Sequence, residues 1–416
     1  MSVVTANDIE RANGVLTIGL RDLVTPLAAD RAKELGVTIE RVQKPLQPQP
    51  ATKSPPIAAS TARPAAANPK SAVPNPPHSA LSGALYRRGA PVPPALQLDR
   101  PSSSATADPR PCAAVVGAGH VGAMTALRLA ETSLFSRVVL TDIVPGLAAG
   151  LALDIWHSAS LRGFTTRVEG SADLSAVAGA DYIVLTAGRP RQPGMSRTDL
   201  TGVNAAIIAT VAEGVRQYAP GAVVVVVTNP LEEMTHLMAK TTRFPPERVI
   251  GMAGVLDGAR FRSLVALTGI ARPQDVSAIA LGSHGPEMVI PVSQATVNGA
   301  PLRGLLTADQ IDAIVERARD SGAEVVKLLQ KGSAYFSPAE SAAAMVLDMT
   351  RDTGRVQAAC VQSGGAYGLE NTWVGLPVRL GPRGVKEIVA LPLTADEKTA
   401  LAKAASSIAA RIHELG

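Results

Sequence analysis

From Pro111 onward, short apolar runs rich in valine recur along the chain: Ala113–Val116, Val138–Leu140, Tyr182–Thr186 and Val223–Val227. Each is followed by a segment of helical or loop character. That alternation predicts βαβ units around a parallel sheet covered by helices. Beyond about Gly251, longer patterns at helical spacing, notably Thr307–Leu329 and Thr394–Leu415, mix with strands. They predict a second, α+β domain. No internal repeat is apparent.

The start of the chain has a different texture. Thr5-Ala6-Asn7-Asp8 has the form of a capping box, and Thr25-Pro26 reads as N-cap and first residue of a helix that stops at Gly36. Leu27, Ala28, Ala32 and Leu35 fall on one face of that helix, and Val15–Leu20 and Val37–Val42 read as short strands. The result is a small module of roughly 40 residues, below the size that usually folds without help. Between Lys44 and Arg110 lie 15 of the 32 prolines and only two acids, Asp99 and Asp108. Such a stretch cannot sustain a hydrogen-bonded ladder, so an extended linker is expected. Within it, Ala80–Gly89 alone carries apolar residues at helical spacing. It predicts either linker without structure or a docking peptide with Leu81–Tyr86 as its apolar part. The expected organisation is therefore a module over 1–43, a linker over 44–110, a nucleotide-binding domain over 111–252 and a catalytic domain over 253–416.

Composition narrows this further. Hydrophobic residues make up 46% of the 416 and aromatics 3%, so the interior is built from Ala, Val, Leu and Ile. No uncharged apolar run approaches the roughly 18 residues of a membrane span. Cys112 and Cys360 match no metal-ligand spacing and form no disulfide framework, so no metal is expected and a reducing, cytoplasmic location is. The net charge of +5 is uneven: residues 1–110 hold 13 Lys/Arg and 8 Asp/Glu of totals 40 and 35, and the rest is balanced. A large nucleic-acid face on the main body is therefore not expected.

The strongest chemical signal is Gly117-Ala118-Gly119-His120-Val121-Gly122, directly after an apolar strand and opening a helix. Gly117 permits the tight turn, Gly119 lets the backbone approach a pyrophosphate, and Gly122 allows the helix to pack closely on the strand. Asp142 ends the next strand, 20 residues past Gly122. A carboxylate there accepts hydrogen bonds from a ribose and repels a 2′-phosphate, which favours NAD over NADP. The alternative is a glycine turn with an unrelated surface aspartate. The fold class is then α/β, a Rossmann parallel sheet followed by an α+β domain, with a mostly disordered N-terminal extension. Next comes Gly188–Arg197, a loop with three arginines, suited to two-pronged capture of carboxylates. Thr228-Asn229-Pro230-Leu231 ends another strand, Asp257 and Arg260 share one helix face, and His284 sits in a glycine-rich turn. Taken singly, each of these also reads as an ordinary salt bridge or turn residue.

The order of these elements resembles the lactate/malate dehydrogenase family, particularly its lactate-dehydrogenase-like malate dehydrogenases. GAGHVG, RQPGMSRTDL, VTNPLEEMT, VIGMAGVLD, GSHGPEMV and GSAYFSP occur in that order over about residues 112–416. The resemblance implies reversible hydride transfer between malate and NAD, with His284 as proton carrier and Asp257 holding its imidazole. It implies that Arg260 grips the C1 carboxylate of the substrate, that Arg191 binds a second carboxylate, and that Arg197 closes over the site and polarises the carbonyl. Asn229 would hydrogen-bond the substrate, while Asn204, Val227 and Thr228 would complete the nicotinamide pocket. A homodimer or homotetramer acting on a small 2-hydroxy or 2-oxo acid is implied. Arg189 and Glu232 depart from the common pattern, Glu232 standing where Asp is usual, and neither is expected to be a catalytic group.

Two competing readings stay open: a lactate dehydrogenase or reductase of another small 2-hydroxy or 2-oxo compound or aldehyde, and a non-catalytic assembly component. The segment Leu23–Ala32 resembles pieces of proteins associated with bacterial microcompartments, which implies a shell or cargo partner for residues 1–110. Six acids among the first 40 residues argue against an organelle transit peptide.

Overall fold

The computed structural model describes residues 3–4, 6–12, 14–19, 23–24, 26–42, 108–189, 197–330 and 332–415. By contacts the chain divides into two compact units, Met1–Asp99 and Arg100–Gly416.

In the first unit, β1 (Val3–Val4), α1 (Ala6–Glu10) and β2 (Val15–Gly19) are followed by β3 (Leu23–Val24), α2 (Pro26–Leu35) and β4 (Thr38–Val42). β3 pairs parallel with β1, and β4 pairs parallel with β2, with Val15 opposite Thr38 and Gly19 opposite Val42. Like pairs with like: one strand–helix–strand coil is stacked on another. The expectation of no internal repeat is thus corrected. The second helix has ten residues and the first five, and this unequal length breaks the spacing that would reveal the repeat in the sequence.

Val4, Ile9, Ile18, Ala28, Ala32 and Val37 form the core of this unit. Glu10 of α1 pairs with Arg31 of α2 at 3.0 Å. Gly36, at φ +66°, ends α2 where a side chain would be strained. Of the expected apolar face, Ala28 and Ala32 are buried but Leu35 is 48% exposed. Leu35 stands in the last turn of α2, directly before Gly36 where the helix ends. Thr5, Thr25, the side chain of Leu27 and residues 43–107, with the run Leu81–Tyr86, lie outside the described residues.

The second unit is built on β5 (Cys112–Val116), β6 (Arg137–Thr141), β7 (Arg167–Ser171), β8 (Tyr182–Leu185), β9 (Val223–Val226) and β10 (Val249–Gly251). They lie in the order β7-β6-β5-β8-β9-β10, all parallel. The chain leaves β5 toward one edge and returns to β8 on its other side. That reversal opens a crevice at the carboxyl ends of β5 and β8, where open α/β sheets bind ligands. The strands carry no polar alternation because helices cover both faces: Ala113 and Val115 face one core, Ala114 and Val116 the other. Between the strands run α3 (His120–Ala130), α4 (Leu147–His157), α5 (Ala159–Arg162), α6 (Arg197–Tyr218) and α7 (Leu231–Thr242).

After β10 the chain enters α8 (Gly254–Ala266), then β11 (Val276–Ser277), β12 (Leu281–Gly282), β13 (Met288–Val289), β14 (Thr296–Val297) and β15 (Ala300–Pro301). It continues through α9 (Ala308–Leu329), α10 (Phe336–Thr350), β16 (Val356–Gln362), β17 (Trp373–Gly381), β18 (Gly384–Ile388) and α11 (Ala395–Glu414). β16 adds antiparallel to β10, with Gly251 opposite Cys360, and β17, β12 and β13 extend the same sheet. Thr307 and Thr394 cap α9 and α11 through reciprocal capping boxes with Gln310 and Glu397, as the helical patterns beginning at those residues predict.

Candidate active site

The turn between β5 and α3 is shaped by its glycines. Gly117 adopts φ +105°, and a Cβ on it would stand 2.6 Å from the Ala187 nitrogen and 2.8 Å from Thr186 Oγ1. A Cβ on Gly122 would overlap the Gly117 carbonyl. Gly119 precedes α3 with no side-chain cap on the helix, and the space where its Cβ would stand is open to 4 Å. The first N–H groups of α3 therefore carry no side-chain cap, and the backbone there leaves room for the close approach of a pyrophosphate. At the end of β6, Asp142 Oδ2 accepts the Ala118 N–H at 2.7 Å and Oδ1 accepts the Val144 N–H at 3.0 Å. Each oxygen keeps a further lone pair for a ribose hydroxyl. The cradle and the carboxylate fit a dinucleotide.

On the other side of the crevice, Asn204 of α6 ties two segments together. Its Oδ1 accepts the Arg189 N–H at 2.8 Å, and its Nδ2 donates to the carbonyls of Arg189 at 3.2 Å and Asn229 at 2.6 Å. Thr228 Oγ1 donates to the Ala187 carbonyl at 2.7 Å. Val227 follows the last residue of β9 and still donates its N–H to Leu185 at 2.9 Å. Asn229 is exposed at this strand end.

Asp257 and Arg260 stand one turn apart on α8, and the turn after β12 brings His284 to them. Asp257 is 1% exposed. Its Oδ2 lies 2.8 Å from His284 Nδ1 and its Oδ1 accepts from Arg260 Nη1 at 3.2 Å. An ionised carboxylate only accepts, so the hydrogen resides on Nδ1, and Nε2 is the nitrogen left for proton exchange. The Asp257 charge raises the His284 pKa above the ordinary histidine value, against the opposing effect of burial. The side chains of His284 and Arg260 remain 20% and 15% exposed, enough for a small ligand to reach both.

The sequence missed one residue of this site. Glu232, in the first turn of α7 and 2% exposed, accepts the His284 main-chain N–H at 2.6 Å. Burial pushes its carboxyl pKa upward, while that hydrogen bond opposes the shift. The available signal was two adjacent acids opening a helix, and the structure buries both. Arg191 lies outside the described residues. Arg197 is the first residue of α6, and its side chain is likewise outside them.

The remaining site residues collect at the carboxyl ends of β5, β6, β9 and β12 and on α3, α6, α7 and α8. Residues 113–251 match the model of the lactate/malate dehydrogenase NAD binding domain, and residues 254–415 match that of the lactate/malate dehydrogenase alpha/beta C-terminal domain. Malate dehydrogenases from Synechocystis and Thermomicrobium roseum are 45% and 47% identical over 294 residues, covering 71% of this chain and 90% and 94% of theirs. Among solved structures, the malate dehydrogenase of Cryptosporidium parvum superposes with a TM-score of 0.71 at 37% identity, over 74% of this chain and 99% of that one. A lactate dehydrogenase of the same organism, complexed with lactic acid and nicotinamide adenine dinucleotide, gives 0.70 at 37%, over 74% and 98%. With both domain models matched in succession and the dinucleotide cradle in place, the chain belongs to the lactate/malate dehydrogenase family.

Proposed function

We propose that this chain is an NAD-dependent malate dehydrogenase, interconverting malate and oxaloacetate. The observation that carries the proposal is the single buried carboxylate of Asp257 joined at once to His284 and Arg260. One group thereby orients the proton carrier and the carboxylate anchor relative to each other. NAD, when bound, supplies the acceptor for hydride from C2 of malate. Gly117, Gly119, Gly122 and Asp142 hold its adenosine and pyrophosphate side, and Asn204, Val227, Thr228 and Asn229 frame its nicotinamide side.

His284 Nε2 takes the C2 hydroxyl proton as hydride leaves, and the charge gained by the ring is balanced by Asp257. Arg260 donates to the C1 carboxylate with the N–H groups that Asp257 leaves free. Arg191 takes the second carboxylate, Arg197 polarises the C2 oxygen, and Asn229 hydrogen-bonds the substrate. A lactate dehydrogenase is the second reading, because the same fold serves both and the choice rests on Arg191. NADH oxidation measured with oxaloacetate, pyruvate and lactaldehyde tests it. Oxaloacetate should be turned over fastest, and a preference for pyruvate would replace the assignment.

A homodimer or homotetramer is part of this reading. Leu153, Trp156 and Leu161 are 54%, 42% and 88% exposed along α4 and α5, an apolar surface of the kind subunits cover. Among the described residues no helix is long and apolar enough to cross a membrane. A microcompartment role for residues 1–110 rests on the Leu23–Ala32 sequence alone. Fusion of these residues to a fluorescent protein in the native host should give discrete foci, and diffuse signal would remove that role.

A further inference from the structure

Two carboxylates converge on His284. Asp257 meets the ring and Glu232 meets the main chain, accepting the His284 N–H at 2.6 Å. Glu232 is 2% exposed and forms no ion pair with Lys or Arg among the described residues. Its neighbour Glu233 accepts from Arg411 of α11 at 2.9 Å, and Arg411 donates to Ser283 Oγ at 3.4 Å. The first turn of α7 therefore holds the Ser283–His284 segment from two directions. A buried carboxylate without a cation is costly, and a neutral amide of the same shape would accept the same hydrogen bond. Carrying a negative charge is thus something that packing does not ask of Glu232, and burial opposes it.

We propose that Glu232 is a positioning residue that fixes the His284 main chain and, through its charge, favours the protonated ring during proton transfer. The inference rests on His284 being the proton carrier of the dehydrogenase reading. Among the described residues, the charged groups that act on the ring are Asp257 and Arg260 from α8 and Glu232 from α7, while Glu233, Arg411 of α11 and Glu287 pair with one another beside Ser283. The Cys360 thiol of β16 also feels Glu232, and burial first, then that charge, keeps it protonated. Both Asp257 and Glu232 push the His284 pKa upward, and Arg260 pushes it down. In oxaloacetate reduction the Nε2–H bond breaks as its proton moves to the carbonyl oxygen, C2 receives the hydride of NADH, and the ring is left neutral. The ring must start protonated, so reduction is lost as pH rises through its pKa. Removing the Glu232 charge moves that loss to lower pH.

The test compares full-length wild type, E232Q and E232D in kcat and KM for oxaloacetate from about pH 5 to about pH 9. E232Q keeps the hydrogen-bond acceptor and loses the charge. Its alkaline limb of kcat/KM should fall by about one unit, about a tenfold lower rate on that side, with the KM for NADH unchanged. E232D keeps the charge, so its limb should stay in place while kcat drops because the shorter side chain reaches less far. A limb that does not move in folded, NADH-binding E232Q, or one that moves equally in E232D, overturns the proposal. If E232Q does not fold, wild type labelled with 15N-histidine gives the second readout. The His284 amide proton should lie far downfield and respond to a carboxylate titration, and an ordinary position overturns the proposal. A wild type without oxaloacetate turnover refutes the dehydrogenase reading itself.

Discussion

Asp257→Asn exchanges one carboxylate oxygen for an NH2 group at almost constant volume, in a residue only 1% exposed. The native carboxylate serves His284 Nδ1 at 2.8 Å with one oxygen and Arg260 Nη1 at 3.2 Å with the other. An amide satisfies one of them with its oxygen and turns a donor toward the other. If the donor faces Arg260, two N–H groups oppose each other. If it faces His284, the ring must place its hydrogen on Nε2, the wrong tautomer for accepting a proton from malate. In both arrangements the charge that balances the protonated ring is gone. Removing one partner of a buried pair costs on the order of 3 to 5 kcal/mol, or about two to four decades in rate. The sign of the pH effect follows from the raised pKa of His284, whose largest cause is the Asp257 charge. In D257N that pKa falls, so oxaloacetate reduction is lost at lower pH and malate oxidation persists further into acid. Steady-state NADH absorbance over a pH series measures both limbs, and NADH fluorescence reports binding, which should be retained because the Gly117–Gly122 turn is untouched. A loss smaller than about threefold, less than roughly 0.7 kcal/mol, or an unmoved pH limb would refute this account of the site.

Arg191→Gln should reduce oxaloacetate turnover by about two decades or more and leave pyruvate turnover nearly unchanged, because only the dicarboxylate loses an ion pair; equal losses would remove the dicarboxylate assignment. Asp142→Ala should weaken NADH binding and relieve rejection of NADPH, measured as the ratio of the two dissociation constants. Gly122→Ala should lower the melting temperature and NADH affinity together, since its Cβ would overlap the Gly117 carbonyl and backbone yields little there; about 1 to 3 kcal/mol is expected, and an unchanged melting curve would contradict the packing. A chain beginning near Ala107 should keep nearly full turnover, and collapse of activity would make the extension part of the catalytic fold.

The parallel sheet was legible because strands covered on both faces lose polar alternation, as Val223–Val226 does, and because glycines at Gly117, Gly119 and Gly122 satisfy a spacing with few other uses. Asp257 and Arg260 were legible as a pair because they are i, i+3 on one helix. Glu232 was not. Its contact with His284 spans 52 residues and crosses from α7 to a turn beyond α8, and nothing local tells a buried acid from a solvated one at a helix start. Leu35 was misplaced for the converse reason: helical periodicity assigns a face, but it does not tell how far along the helix that face stays buried, and Leu35 in the last turn is 48% exposed. The pairing of β1 with β3 escaped notice because parallel register leaves no hairpin signature in the chain.

That pairing sets how the first unit responds to change. A coil of on the order of twenty residues has no interior of its own, and here Ile9 of one helix and Ala28 of the other reach zero exposure within one shared core of six side chains. Its stability then belongs to the seam between the coils more than to either coil, as in a one-dimensional stack of two. Melting should be all-or-none across residues 3–42, with neither coil persisting as an intermediate. Length is constrained for the same reason: a deletion of a few residues between the strands of one coil would shift β1 against β3 or β2 against β4 and break that parallel pairing.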